Sequence, residues 1–163
     1  MTESVRIRAA ERRDVPRLFS LIVELAGYER AAEHVVGSEQ LLELALFGPD
    51  PAAEAVVGEI DGTVVAFALF YRTFSTWLCR PGLWLEDLYV SPQHRRAGLG
   101  RALLGHVAGV ALERDCGRLE WAVLNWNEAA LRFYESLGSM WLEEWQTLRL
   151  DGEALRSVAG IRD

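Results

Sequence analysis

Apolar and polar residues alternate at the start of the chain, Val5-Arg6-Ile7-Arg8, with the two-residue period of a strand. The period then lengthens. Leu18, Leu21, Ile22 and Leu25 recur at helical steps, and Asp14 stands where a cap is expected. A second helix is predicted over 38–47, stopped by Gly48-Pro49-Asp50-Pro51. Residues 55–60 and 63–70 flank Asp61-Gly62, a strong short hairpin signal. The second of these strands is apolar on both faces and is expected to lie centrally, covered above and below. A loop through Arg80-Pro81-Gly82 leads to a strand over 84–90, ended by Ser91-Pro92. A helix follows over 98–114, with Leu99, Leu103, Val107 and Val110 on its inner stripe. The remaining elements are a strand over 119–124, a helix over 127–137 closed by Gly138, and a last long strand over 140–148. Asp151 is placed to cap a short terminal helix. The order β-α-α-β-β-β-α-β-α-β, without repeat or linker, predicts one α/β domain over 1–163 with helices on both faces of its sheet.

The 163 residues, half of them hydrophobic, can bury a core without disulfides or metal. All 17 basic residues are arginines, which excludes a Walker A loop and any lysine Schiff base. A formal net charge of −7 argues against nucleic acid and suits a cationic small molecule. Cys79 and Cys116 form no CxxC pattern and are expected to be small buried hydrophobes in a reducing compartment. His34, His94 and His106 lack metal-ligand spacing, so no metal is expected, and His94 is given no role. Met1-Thr2-Glu3-Ser4 has neither the basic start nor the apolar stretch of a secretory signal. The longest apolar run, 64–71, is far short of a membrane span. A cytoplasmic location without membrane attachment is therefore expected.

The most informative stretch runs from Leu88 to Arg101: a strand, a short turn, and a helix opening on Gly98-x-Gly100. Glycines there let the amides of the helix start approach a ligand closely, and the helix terminus favours an anion, above all a phosphate. A helix that merely begins with glycines is the alternative. A Rossmann fingerprint fits less well, because Leu103 stands where a third glycine belongs and the turn is too long.

Arg95-x-x-Gly98-x-Gly100 resembles the acetyl-coenzyme A signature of the GNAT N-acetyltransferases, and the element order matches that fold. Leu85-Glu86-Asp87, Trp126-Asn127-Glu128 and Phe133-Tyr134-Glu135 with Gly138 are similar to its spermidine/spermine (and thialysine) branch, as are Tyr28-Glu29 and Glu143-Glu144. The resemblance implies a three-layer α-β-α fold around a mixed, mostly antiparallel sheet. It implies acetyl-coenzyme A as acetyl donor, its pyrophosphate on the amides of Arg96, Ala97, Gly98, Leu99, Gly100 and Arg101. Leu88, Tyr89, Val90, Arg95, Asn127, Ala130 and Tyr134 complete the implied cofactor site. Tyr28, Glu29, Glu86, Asp87 and Glu144 are implied to face the amine. A homodimer is implied as well, and the tryptophans Trp141 and Trp145 offer apolar area for it.

Each site residue also has a plainer reading. Tyr134 shares a helical stripe with Ala130 and Leu131, where a tyrosine is ordinarily core; the resemblance makes it the general acid that protonates the departing thiolate. Glu86 falls in strand phase with Leu88 and Val90, and Asp87 with Leu85 and Tyr89. Glu86 could pair with an arginine, or bind a substrate ammonium and drain its proton through water. Asn127 can cap the last long helix, a role compatible with touching the cofactor. The expectation is direct acetyl transfer to a small primary amine: a polyamine, a diamine or a thialysine-like amine. A non-catalytic acyl-coenzyme A sensor, or an enzyme acting on a protein N-terminus or an antibiotic, are the alternatives.

Overall fold

The computed structural model describes residues 4–161, so the reading made on Met1, Thr2 and Glu3 lies outside it. The chain divides after Ala122 into two compact units. The first holds β1 (Val5–Ala9), α1 (Val15–Tyr28), α2 (Glu39–Phe47), β2 (Glu54–Ile60), β3 (Thr63–Ser75), β4 (Arg80–Val90), α3 (Leu99–Glu113) and β5 (Leu119–Trp121). The five strands form one sheet in chain order, antiparallel from β1 to β4, with β5 parallel to β4.

The β2–β3 hairpin turns at Asp61-Gly62, both residues left-handed, with Ile60 paired to Thr63. This is the mirror-image turn whose twist matches the strands it joins. On one face of the sheet Leu18, Leu21 and Leu25 of α1 and Leu46 of α2 pack on Ala55, Val57, Phe67 and Tyr89. The other face carries α3. A side chain at Gly58 would stand 3.2 Å from Leu99 and from Ala66, so the glycine lets the helix settle against the sheet. The start of α1 is pinned by Arg8, which forks onto Asp14 at 2.6 and 2.9 Å and also binds Glu59. Asp14 therefore does not cap α1 as expected. Its carboxylate takes the Arg8 guanidinium and the Glu11 amide instead.

Strand β3 and strand β4 both run further than expected, through the segment read as a loop. Pro81 needs no ladder donor there, and its carbonyl accepts the Gly117 amide at 2.8 Å. Gly82 passes so close to Thr73 that a Cβ would lie 2.8 Å from its hydroxyl. The longer hairpin carries Cys79 to its tip, exposed rather than buried, in a left-handed backbone conformation.

In the second unit, α4 (Glu128–Glu135) and α5 (Gly152–Val158) are joined by a long irregular stretch. Asn127 caps α4, its side-chain oxygen accepting the Ala130 amide at 3.2 Å. The strand expected over 140–148 is not formed. A turn at Glu143-Glu144, closed by Trp145 donating to the Leu142 carbonyl at 3.1 Å, breaks the extended run. Strand β5 is likewise three residues where six were expected. Among the described residues no helix is long and apolar enough to cross a membrane.

Candidate active site

Strand β4 ends at Val90, and a 3₁₀ turn at Pro92–His94 leads to Arg95, which is extended. Arg96 and Gly98 then take left-handed conformations, with φ of 71° and 79°, before α3 begins at Leu99. Alternating backbone handedness turns successive amides toward one side, as anion-binding concavities do. Gly98 occupies the cap position and supplies no capping side chain. The first intrahelical bond of α3 is Ala102 to the Gly98 carbonyl at 3.0 Å. The amides of Leu99, Gly100 and Arg101 therefore have no acceptor within the helix. A Cβ at Gly98 would meet nothing within 4 Å, so the glycine answers a backbone conformation and an open approach, not crowding. Arg95, Arg96 and Arg101 are exposed along this rim. The donors and charge suit a pyrophosphate.

The middle of β4 is irregular. Leu69 pairs with Asp87 and Phe70 with Leu85, which leaves Glu86 as an extra residue without a partner in β3. Such a bulge resets the alternation. Asp87, opposite Leu69, faces α1 together with Tyr89, while Leu85 goes to the α3 face with Phe70; the phase expected from the sequence breaks here. The Glu86 carboxylate accepts the Trp84 indole N–H at 2.9 Å, not an arginine. It also pushes the Tyr71 hydroxyl pKa up, after burial as the larger cause. Burial, then the charges of Glu86 and Glu29, push Asp87 up to about 6. Glu29, the residue that closes α1, is itself raised by burial. Three of the expected amine-facing carboxylates thus act on one another across α1 and β4.

Tyr28, on the last turn of α1, lies under the Arg95 guanidinium, 4.8 Å from the ring centroid. Tyr89 is buried, with its hydroxyl directed at Glu24 at 3.5 Å. Leu88 and Val90 are half-buried, paired to Ala68 and Ala66 of β3. Two residues that sequence reasoning did not single out belong to this region. Glu24 gathers Ser91 at 3.1 Å and Arg17 at 2.9 Å, and Tyr71 faces Glu86. A carboxylate beside the buried Leu25 on an amphipathic helix is a readable signal for Glu24; nothing in the sequence announces Tyr71. Asn127, Ala130, Tyr134 and Glu144 belong to the second unit. There Tyr134 is half-buried on α4, its ring 5.1 Å from that of Phe133, and Glu144 is exposed in the turn before Trp145.

Residues 17–139 match the family model described as the Acetyltransferase (GNAT) family. The chain is 39% identical over 167 residues to a thialysine N-epsilon-acetyltransferase of Bos taurus, covering 96% of this chain and 98% of that protein. It is 30% identical to the human spermidine/spermine N(1)-acetyltransferase-like protein 1, over 94% of this chain and 24% of that longer protein. Among solved structures, an integron cassette protein from the mobile metagenome of V. cholerae superposes with a TM-score of 0.80 at 27% identity, covering 96% of this chain and 98% of its own.

Proposed function

The chain belongs to the GNAT acetyltransferase family and is an N-acetyltransferase, and on that premise we propose that it acetylates a small primary amine at the expense of acetyl-coenzyme A. The acceptor in this proposal is a thialysine-like amine, a diamine or a polyamine, attacking the thioester directly. The observation that carries the acceptor class is the group of Glu29, Glu86 and Asp87, in which burial first, and then the charges of Glu86 and Glu29, push Asp87 up to about 6. Neighbouring carboxylates resist joint ionisation unless a cation sits among them. A substrate ammonium is such a cation. The thialysine N-epsilon-acetyltransferase among the relatives is named for an amine of this kind, and another relative is named for its likeness to a spermidine/spermine acetyltransferase.

When bound, acetyl-coenzyme A supplies the activated acetyl group. The amides from Arg96 to Arg101 hold its pyrophosphate in this reading, with the exposed arginines adding charge. Asp87 anchors the ammonium from the α1 side. Glu86, displaced from the ladder by the bulge, takes the proton directly or through water. That proton has to leave, because alkyl amines have pKa near 10.4 and only about one in a thousand is neutral at pH 7.4. Tyr134 donates a proton to the departing thiolate, and Asn127 both caps α4 and meets the cofactor. Residues 1–163 act as one domain in this reading. A cytoplasmic setting suits the free, exposed Cys79 thiol.

A panel of amines offered with acetyl-coenzyme A, read by thiol release, tests the proposal. Cationic diamines, polyamines and thialysine should be the best acceptors, with rates rising from neutral to mildly alkaline pH. Glu86→Gln should impair amine use far more than acetyl-coenzyme A binding. A neutral or anionic amine outpacing every cationic one would overturn the acceptor class.

A further inference from the structure

We propose that Trp84 is a positioning residue for the amine step: its indole N–H holds the Glu86 carboxylate on the sheet face where Asp87 stands, ready to take the ammonium proton. The bulge makes such a hold necessary. Leu69 and Tyr71 lie two apart on β3 and so share the face that packs on α1. Asp87 is paired with Leu69 and Trp84 with Tyr71. Trp84 and Asp87 therefore share that face, although an unbroken strand would send residues three positions apart to opposite sides. Glu86, between them, has no partner on β3 to fix its direction, and it is exposed. A glutamate left free samples many rotamers, whereas a proton acceptor works only within hydrogen-bond reach of its proton. The indole Nε1, donating to Oε2 at 2.9 Å, removes that freedom.

The indole has another carboxylate close at hand. Glu120 on β5 is in register with Trp84, but it pairs with Arg118 at 2.8 Å, and the indole turns along its own strand to Glu86 instead. From β3, the Tyr71 hydroxyl bears on the same carboxylate, since burial and then Glu86 push its pKa up. Two donors leave a carboxylate room to accept a proton, because its two oxygens offer about four lone-pair sites. The kinetic consequence rests on the amine-acetylating reading; the contact itself does not.

The test has two arms. In the ligand-free protein, the Trp84 indole N–H is followed by NMR, identified among the six tryptophans by its loss in Trp84→Phe. In Glu86→Ala that resonance should move, and its exchange with solvent should quicken by about five- to tenfold. In the kinetic arm, Trp84→Phe keeps a ring and removes the donor. It should lower kcat with a cationic diamine by about tenfold, with the KM for acetyl-coenzyme A within about twofold. Added to Glu86→Gln it should cost nothing further. An amine already neutral at the assay pH brings no proton to remove, and should lose less than about twofold. An indole resonance unmoved in Glu86→Ala overturns the hold, whether or not any amine is acetylated and even if Trp84→Phe folds poorly. Equal losses for cationic and neutral amines, or a loss confined to the KM for acetyl-coenzyme A, overturn the positioning role. A coupled indole in a protein that acetylates no amine at all overturns the acceptor reading, and the kinetic role with it.

Discussion

Asp87 stores a cost that can be measured directly. Its folded pKa, about 6, lies above the ordinary aspartate value, so between roughly pH 4 and 6 the folded state holds a proton the unfolded chain has released. Stability contributed by the neutral form is present below that window and lost as pH rises through it. Asp87→Asn should therefore match the wild type near pH 4 and exceed it at pH 7.5 by on the order of 2 kcal/mol in urea unfolding, while amine turnover collapses. An Asn variant no more stable than the wild type at pH 7.5 would contradict the burial and crowding of charge at Asp87. Tyr134 makes the opposite kind of prediction. Tyr134→Phe keeps the ring beside Phe133, so the melting temperature should hold. Turnover should fall roughly 10²–10⁴-fold if the hydroxyl donates the proton. Stopped or quenched assays showing a loss below about threefold would remove it from the mechanism.

Among the elements, α1 is anchored at its start by a largely buried ion-pair fork. Arg8 is largely buried between Asp14 and Glu59, and the guanidinium holds Asp14 below the usual carboxylate range. Because that pKa is lowered, its stabilisation is present above about pH 4 and disappears as pH falls. Arg8→Ala strands two carboxylates and should cost about 3 kcal/mol, a fall of roughly 10 °C in Tm, with a weaker loss of stability in acid than the wild type shows. An unchanged melting temperature would demote the pair to decoration. At this scale the sequence was legible where periodicity and turn chemistry agree. The helical stripe of α1, the Asp61-Gly62 hairpin and the Asn127 cap all stand as expected. It was illegible where a local signal was overruled. Pro81-Gly82 reads as a loop but continues a strand, because Pro81 has no amide to pair and Gly82 has no side chain to collide with Thr73. The bulge at Glu86 leaves no trace in the alternation, yet it decides which carboxylate faces α1. The run 140–148 has apolar residues enough for a strand, but its adjacent glutamates form a turn.

For the whole molecule, the exposed apolar side chains of the second unit raise the question of assembly. Trp141 and Trp145 are 68% and 67% exposed, and Leu148 is 90% exposed. Side chains of this size are ordinarily covered in solution. We infer a homodimer, as the family resemblance implies, with this stretch contributing to the contact. Sedimentation at micromolar concentration should give a species of twice the chain mass, and Trp141→Ala with Trp145→Ala should shift it toward the single chain. A single-chain species for the wild type would refute the dimer.

Besides Arg8 and Arg17, the residues Arg12, Arg80, Arg114, Arg118 and Arg132 supply the basic side of ion pairs to carboxylates across the fold. Elsewhere the same bridges could be built from lysine. Here that substitution would put a nucleophilic amine within reach of a reactive thioester. A guanidinium stays protonated at any working pH and does not attack an acyl group. A chain without lysine has no side-chain primary amine for its own reaction to modify. The charge network that holds the fold therefore offers turnover no lysine to acetylate.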